Sequence, residues 1–372
     1  MTVAWPRAWG TPPARALIRC RPEDFLVSEE LGFELSGEGE HVFLYLQKRN
    51  LNSMELLQRL AALSGVPERD IGVSGLKDRN AVTRQWFSVG LAGRPEPDWT
   101  ALQAGGDVQL LQRGRHTRKL RRGVHRANRF RLMLRDVSGE RAALEQRLQQ
   151  VREQGAPNYF GEQRFGRGGA GLEQARRWAV TGGRRLTRAR RGLHLSALRA
   201  FLFNTVLAER VAAGSWNIPC EGDVCMLQGS RSLFTCGQVD DELRARARLG
   251  DVHPGLPLWG RGVSAASPGR ALQQREALEE HRLLCEFLER EGLELSWRPA
   301  RLFADDFCWQ FCDDGALQLD FALGAGAYAT ALLAEIVQYE QGGQPEIQQD
   351  ARPDRQQAGG SATGDMKGWQ GR

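Results

Sequence analysis

Metal-ligating residues are sparse in this chain, with seven cysteines and six histidines in 372 residues. The closest cysteine pairs, Cys220-x4-Cys225 and Cys308-x3-Cys312, lack both the two-residue spacing and the histidine partners of a zinc site. An odd, scattered set from Cys20 to Cys312 is no disulfide framework and suits reduced thiols in a cytoplasm. No apolar run approaches the ~20 residues of a membrane span. The opening "MTVAWPRAWGTPPARALIR" has no signal-peptide core, so a cytoplasmic protein without membrane contact is expected. Walker A, H-E-x-x-H and G-x-S-x-G motifs are all missing. Acidic residues are missing too from Val108 to Arg135.

What is present is ordinary in bulk and uneven in distribution. With 41% apolar and 26% charged residues, the chain reads as globular. Its length exceeds what one core usually supports, so two domains are expected. The net charge of +6 gathers in two runs. "RGRHTRKLRRGVHRANRFR", 113 to 131, holds nine Arg or Lys, and "GGRRLTRARRG" adds five arginines between 184 and 191. A solvated face is the ordinary reading of such a run. Two arginine-dominated, acid-free runs point further, to phosphate binding and counterion release.

Periodicity places the elements coarsely. "HVFLYLQ", "RDIGVSG", "QWFSV" and "RFRLMLRDV" read as strands. "NSMELLQRLAALSG" reads as a helix capped by Asn52, with Glu55 at the capping-box position. From about residue 150 the texture changes to helices around a glycine-rich loop, "APNYFGEQRFGRGGAG". "SALRAFLFNTVLAERVAAG" is the most apolar helix, with Ser196 as its expected cap, and another helix is expected from about 272 to 291. "LQLDFAL" is a strand that leads through "GAGA" into the helix "YATALLAEIVQ". The tail from 341 is expected to be disordered.

Chemistry is harder to place from the residues alone. "GRGGAG" matches G-x-G-x-x-G, but no convincing strand precedes it and no acidic residue follows about twenty positions on. That disfavours a dinucleotide oxidoreductase. "SGLKDRNAVTRQWFSV", 74 to 89, sets one carboxylate between two cations in a turn. Together with the basic runs it suggests an RNA- or DNA-binding protein whose chemistry, if any, uses a carboxylate without metal.

Several of these segments resemble one family, the TruD tRNA pseudouridine synthases. "GLKDRNAVTRQWFSV" resembles its catalytic loop and "GAPNYFGEQRFGRGG" its most specific signature. "RPEDFLVSEELGFELSGEGEHVFLYLQKRNLNS", "LSALRAFLFNTVLAERV" and "LGAGAYATALLAEIV" resemble its other blocks, in the family's order, from about residue 16 to about 340. The resemblance implies an α+β, V-shaped two-domain protein. Its pseudouridine-synthase domain, a mixed and mostly antiparallel sheet with helices, would comprise 1–150 and 304–340. A family-specific domain would be inserted at 151–303, with 341–372 as the tail.

The implied activity is isomerisation of the uridine at position 13 of tRNA, which needs no metal or redox cofactor. By resemblance Asp78 is the nucleophile and Arg19 its partner. Phe25, Asn128 and Tyr328 match substrate-contacting positions, Phe130 completes an N-x-F element, and Lys77 supports the loop or a phosphate. The base must be flipped out of its stack, so aromatic faces and base-edge donors are expected around it. Tyr328 stands where phenylalanine is typical, and Asn80 where histidine is common. Nothing demands a dimer, so a monomer is expected. The competing reading is a non-catalytic RNA-binding or RNA-folding protein.

Overall fold

A computed structural model describes residues 4–182, 186–230 and 232–342. Arg184 and Arg185 of the second basic run, and the expected tail beyond Gly342, lie outside the described residues. The first half contains β1 (Ala14–Ile18), β2 (Phe25–Leu31), β3 (His41–Arg49), α1 (Ser53–Ser64), β4 (Ile71–Val73), β5 (Val82–Gly90), β6 (Val108–His116), β7 (His125–Gly139) and α2 (Arg141–Gln154). Then come β8 (Ala156–Pro157), α3 (Ala170–Thr181), α4 (Arg188–Ala212), β9 (Val224–Leu227), β10 (Leu233–Thr235), α5 (Asp241–Arg248) and β11 (Val252–Leu258). The last stretch holds α6 (Pro268–Glu276), α7 (Arg282–Arg290), β12 (Ser296–Pro299), β13 (Arg301–Leu302), β14 (Asp305–Phe311), β15 (Leu317–Gly324), α8 (Ala329–Ile336) and β16 (Val337–Gln341). The fold is α+β.

A ten-stranded sheet carries the order β14-β15-β7-β2-β5-β3-β6, with β1 and β16 paired beside β7 and β4 beside β5. It is mixed and mostly antiparallel; β2–β5 and β1–β16 are its parallel pairs. All its strands come from 14–139 and 305–341. A separate four-stranded sheet, β10-β9-β11-β12, comes from 224–299. One apolar cluster nevertheless runs through both stretches, from Phe25 and Phe130 through Phe201 and Leu288 to Phe321.

β7 is the spine of the large sheet. Its residues 127–134 pair with β15, 125–132 pair with β2, and its far end pairs with β1. The register sets Glu29 and Leu323 opposite Asn128, Val27 and Phe321 opposite Phe130, and Phe25 and Leu319 opposite Leu132. Opposed residues share a face of the pleat, so these side chains line one buried surface. The other face carries Arg126, Arg129 and Arg131, each paired with a carboxylate of Glu30, Asp306 or Asp320.

Three local expectations need correction. α4 starts at Arg188, capped by Thr187, whose Oγ1 accepts from the Arg190 amide at 3.4 Å. Ser196 is therefore interior, because "RARRGLHL" holds no proline and extends the helix backwards. The expected helix over 272–291 is divided into α6 and α7 by a 3-10 turn at Glu279–His281. The final helix ends at Ile336, and Val337–Gln341 form β16, which pairs in parallel with β1 from Ala14↔Val337 to Ile18↔Gln341. The β-branched Val337 and the aromatic Tyr339 suit a strand, and the free edge of β1 supplies the partner. Gln341 accordingly belongs to the sheet, not to a tail.

α1 forms as read, with Asn52 Oδ1 accepting from the Met54 amide at 2.9 Å. Glu55, however, pairs with Arg59 instead of closing a capping box.

Candidate active site

The β4–β5 loop is held in place from beneath. Leu56, Leu57 and Leu60 of α1 form one apolar cluster with Ile71, Val73, Phe87 and Val89, which seats the first residue of the helix, Ser53, under the loop. Ser53 Oγ accepts from the Lys77 amide at 3.1 Å and donates to Gln85 Oε1 at 2.7 Å. Gln85 Nε2 donates to the Gly75 carbonyl at 3.2 Å. The strongest hold is Lys48 on β3, which is wholly buried. Its ammonium donates to the carbonyls of Leu51 at 2.7 Å and Asp78 at 2.8 Å, with the Lys77 carbonyl at 3.5 Å. Burial pulls its pKa down to about 8; nearby Asp78 opposes that shift and Lys77 adds to it.

The Asp78 carboxylate is presented outward, its side chain 48% exposed. Oδ2 accepts a hydrogen bond from Arg19 Nη2. Arg19 follows β1 at φ 58, a left-handed backbone that non-glycine residues seldom adopt and that costs roughly 1–3 kcal/mol. Its side chain is only 16% exposed, and its guanidinium carbon lies 4.1 Å from the centre of the Phe25 ring. Phe25 is buried, edge-on to Phe130 at 6.2 Å, and Phe130 stacks on Phe321 at 5.2 Å. Three aromatic rings thus back the cation that faces Asp78. Phe130 belongs to this buried stack and offers no open face.

Of the two roles expected of Lys77, support of the loop is the one its geometry fits: its ammonium lies 2.7 Å from Glu29 Oε2, not turned out toward a phosphate, and its side chain is 8% exposed. Glu29 Oε1 also accepts from the Trp86 amide at 3.3 Å. Lys77 therefore anchors the loop to β2.

Asn128, opposite Glu29 on β7, completes the same face. Its Nδ2 lies 3.1 Å from His125 Nε2, while its Oδ1 is buried and has no partner among the described residues. His125 was not among the residues expected from sequence. Burial lowers its pKa, so the imidazole is neutral near pH 7 and Nε2 accepts from Asn128. That leaves Asn128 with an unused acceptor.

Tyr328 enters from a different direction. It precedes α8, five residues beyond Leu323, which stands opposite Asn128. Its hydroxyl accepts from Arg164 Nε at 3.0 Å and Nη2 at 2.6 Å. Arg164 is therefore engaged inside the protein.

The middle of the first basic run, the β6–β7 turn, lies beside the loop. The β6–β7 turn docks through Leu120 N to Ser88 Oγ at 2.9 Å and Gly123 N to the Ser74 carbonyl at 2.7 Å. Gly72 permits this approach: a Cβ there would stand 2.3 Å from the Leu120 carbonyl oxygen. Arg118, Arg121 and Arg122 are exposed on this turn. Among the described residues, none of the three has a carboxylate partner. In the second run, Arg191 pairs with Glu291 at 2.7 Å.

A cavity of about 1050 Å³ lies apart from this loop, lined by Trp5, Tyr159, Phe160, Gly166, Thr330 and Tyr339 among others. Its lining includes neither Asp78 nor Arg19.

The model of the family described as tRNA pseudouridine synthase D (TruD) matches residues 6–169 and 173–336. The chain belongs to the TruD family. It is 49% identical to the tRNA pseudouridine synthase D of Nitrosococcus oceani over 339 residues, 90% of this chain and 95% of that one. To the tRNA pseudouridine synthase D of Methylococcus capsulatus it is 46% identical over 341 residues, 92% and 96% of the two chains. A crystal structure named for TruD from Methanosarcina mazei shares the fold with a TM-score of 0.65 at 20% identity, covering 91% of this chain and 96% of that one. TruD membership makes the chain a tRNA-modifying isomerase of the pseudouridine synthase class.

Lys48 yields a prediction with two opposite signs. The unfolded lysine keeps its proton to about 10.5, whereas the folded one sheds it above about 8. Between these values unfolding takes up a proton, so wild-type stability should rise with pH relative to Lys48→Met. Activity should fall over the same span, since a neutral amine has two N–H groups for three carbonyls. Denaturant melts of both proteins from pH 7 to 10.5, with single-turnover rates alongside, measure this. A stability difference that stays flat with pH would contradict the assigned burial.

Proposed function

We propose that this chain isomerises the uridine at position 13 of tRNA to pseudouridine, with Asp78 as nucleophile acting on a base flipped out of the RNA. The observation that carries the reading is a half-exposed carboxylate, paired with one shielded cation, on a loop whose backbone is held by three side chains. A covalent step through Asp78 divides a difficult bond cleavage into two easier ones. The C1′–N1 bond breaks, the uracil turns and C5 bonds to C1′. The C5 proton leaves to solvent and N1 gains a proton, so product and substrate have the same atoms. Attack at C1′ of the ribose and attack at C6 of the uracil both satisfy this balance.

The remaining residues divide into support and recognition. Arg19 donates to Asp78 Oδ2 and fixes the direction of the carboxylate. Phe25, Phe130 and Phe321 stiffen Arg19. Asn128 keeps a free acceptor, Oδ1, that entry of the flipped base would have to uncover for the N3–H edge of uracil, and Tyr328 offers its ring to that base, as such pockets require. Residues 1–150 with 304–341 form the catalytic domain and 151–303 the insertion, in keeping with the origin of the two larger sheets. Arg118, Arg121 and Arg122 hold the tRNA backbone beside the loop.

Two measurements test this. An unmodified tRNA transcript incubated with the protein should block reverse transcription after carbodiimide treatment at position 13, and a transcript with cytidine there should show no block. Tight tRNA binding without any block would favour the non-catalytic RNA-binding reading. Replacing Arg118, Arg121 and Arg122 by glutamine should flatten the dependence of log affinity on log salt by about one for each phosphate no longer neutralised. An unchanged slope would move the RNA footprint away from the β6–β7 turn.

A further inference from the structure

The block "NYFGEQRFG", 158 to 166, has no part in the chemistry described so far, yet it is tied closely to the approach to Tyr328. Asn158 Oδ1 accepts from Arg298 Nη2 at 2.6 Å, and Arg298 Nη1 donates to the Gly326 carbonyl at 3.0 Å. The same guanidinium lies 4.2 Å from the centre of the Phe160 ring. Phe160 is fixed through its backbone, with its amide donating to Asn204 Oδ1 at 2.9 Å and its carbonyl accepting from Asn204 Nδ2 at 3.1 Å. Its ring meets that of Tyr328 edge-on at 5.8 Å. Gly161 lets the block lie against α8, since a Cβ there would stand 2.8 Å from Thr330 Oγ1. Arg164 then closes the arrangement. Its Nε and Nη2 reach the Tyr328 hydroxyl, and its Nη1 donates to Ser196 Oγ at 2.8 Å on α4.

We infer that Arg164 is a positioning residue for the reaction, acting through the Tyr328 hydroxyl, which serves as the anchor of the ring and not as the group that takes the C5 proton. A neutral phenol oxygen has two acceptor lone pairs. Arg164 uses both, so the hydroxyl has only its own hydrogen left to offer. The guanidinium fork suits this task because two of its N–H groups converge on one oxygen while a third holds Ser196. The phenol thereby joins the start of α8 to α4, which the phenylalanine typical at this position has no oxygen to do.

The inference rests on the proposed activity, and wild-type conversion of uridine in the tRNA transcript is the shared control. If wild type is inactive, that reading fails and this one is not reached. With wild type active, a double-mutant cycle decides. Arg164→Met and Tyr328→Phe should each slow single turnover at saturating tRNA by about three- to tenfold, and the double variant should be no slower than the worse single, because both remove one interaction. tRNA affinity and its salt slope should be unchanged in Arg164→Met. Arg164→Lys, which keeps charge but loses the fork, should match Arg164→Met and covers the case where the methionine variant does not fold.

Multiplicative effects in the double variant would overturn the inference. So would a Tyr328→Phe protein as slow as Tyr328→Ala, since the hydroxyl would then act chemically. A weakened, less salt-sensitive tRNA affinity in Arg164→Met would make Arg164 an RNA-binding residue instead.

Discussion

The site depends on one buried cation. Lys48 carries its ammonium to the underside of the β4–β5 loop, where it meets the carbonyls of Leu51, Lys77 and Asp78. Burying a lysine is costly, as its depressed pKa records. The cost is offset in part because the ammonium supplies donors to these backbone acceptors, and a buried acceptor left without a donor costs about 1–3 kcal/mol. The result is a loop whose backbone cannot relax, so the direction of the Asp78 side chain is set before any substrate arrives. Ser53 and Gln85 extend the same hold to Lys77 and Gly75.

β7 makes the second constraint. By pairing with β2 on one side and β15 on the other, it sets Phe25, Glu29, Asn128, Phe130, Leu132, Phe321 and Leu323 on one face. Residues nearly 300 positions apart in sequence are thereby neighbours at fixed spacing. The left-handed backbone at Arg19 turns its guanidinium toward Asp78 and the Phe25 ring. Strain of this kind persists only where the surrounding structure over-determines it, and Asp78 and the Phe25 ring are two such restraints.

The parts of this arrangement legible in the sequence are those with local signatures. Period-two strands and the Asn52 cap follow from nearest-neighbour rules, and the structure follows them. Asp78, Arg19 and Asn128 are reached through motif resemblance, because nothing in their own neighbourhoods marks their mutual approach. Lys48 escapes notice because a lysine near the end of a strand reads as solvated, although period two sets it on the face of Val42, Leu44 and Leu46, all of them buried. His125 is hidden within a run of cations that draws attention as charge. The anchor of Lys77 is not legible either, since its partner Glu29 lies 48 residues away. Ser196 reads as a cap because serine before an apolar run suits one. The helix that extends through it depends instead on Thr187.

The central claim is that the Asp78 carboxylate acts chemically while its surroundings only aim it. Asp78→Asn keeps the shape of the side chain and removes the charge. The deciding measurement is tritium release from tRNA labelled at uridine C5, in single turnover with the Asn variant at saturating concentration. The account predicts no release above background, with tRNA affinity within a few-fold of wild type. Release at a measurable rate from pure Asp78→Asn protein would contradict it and assign the nucleophile elsewhere.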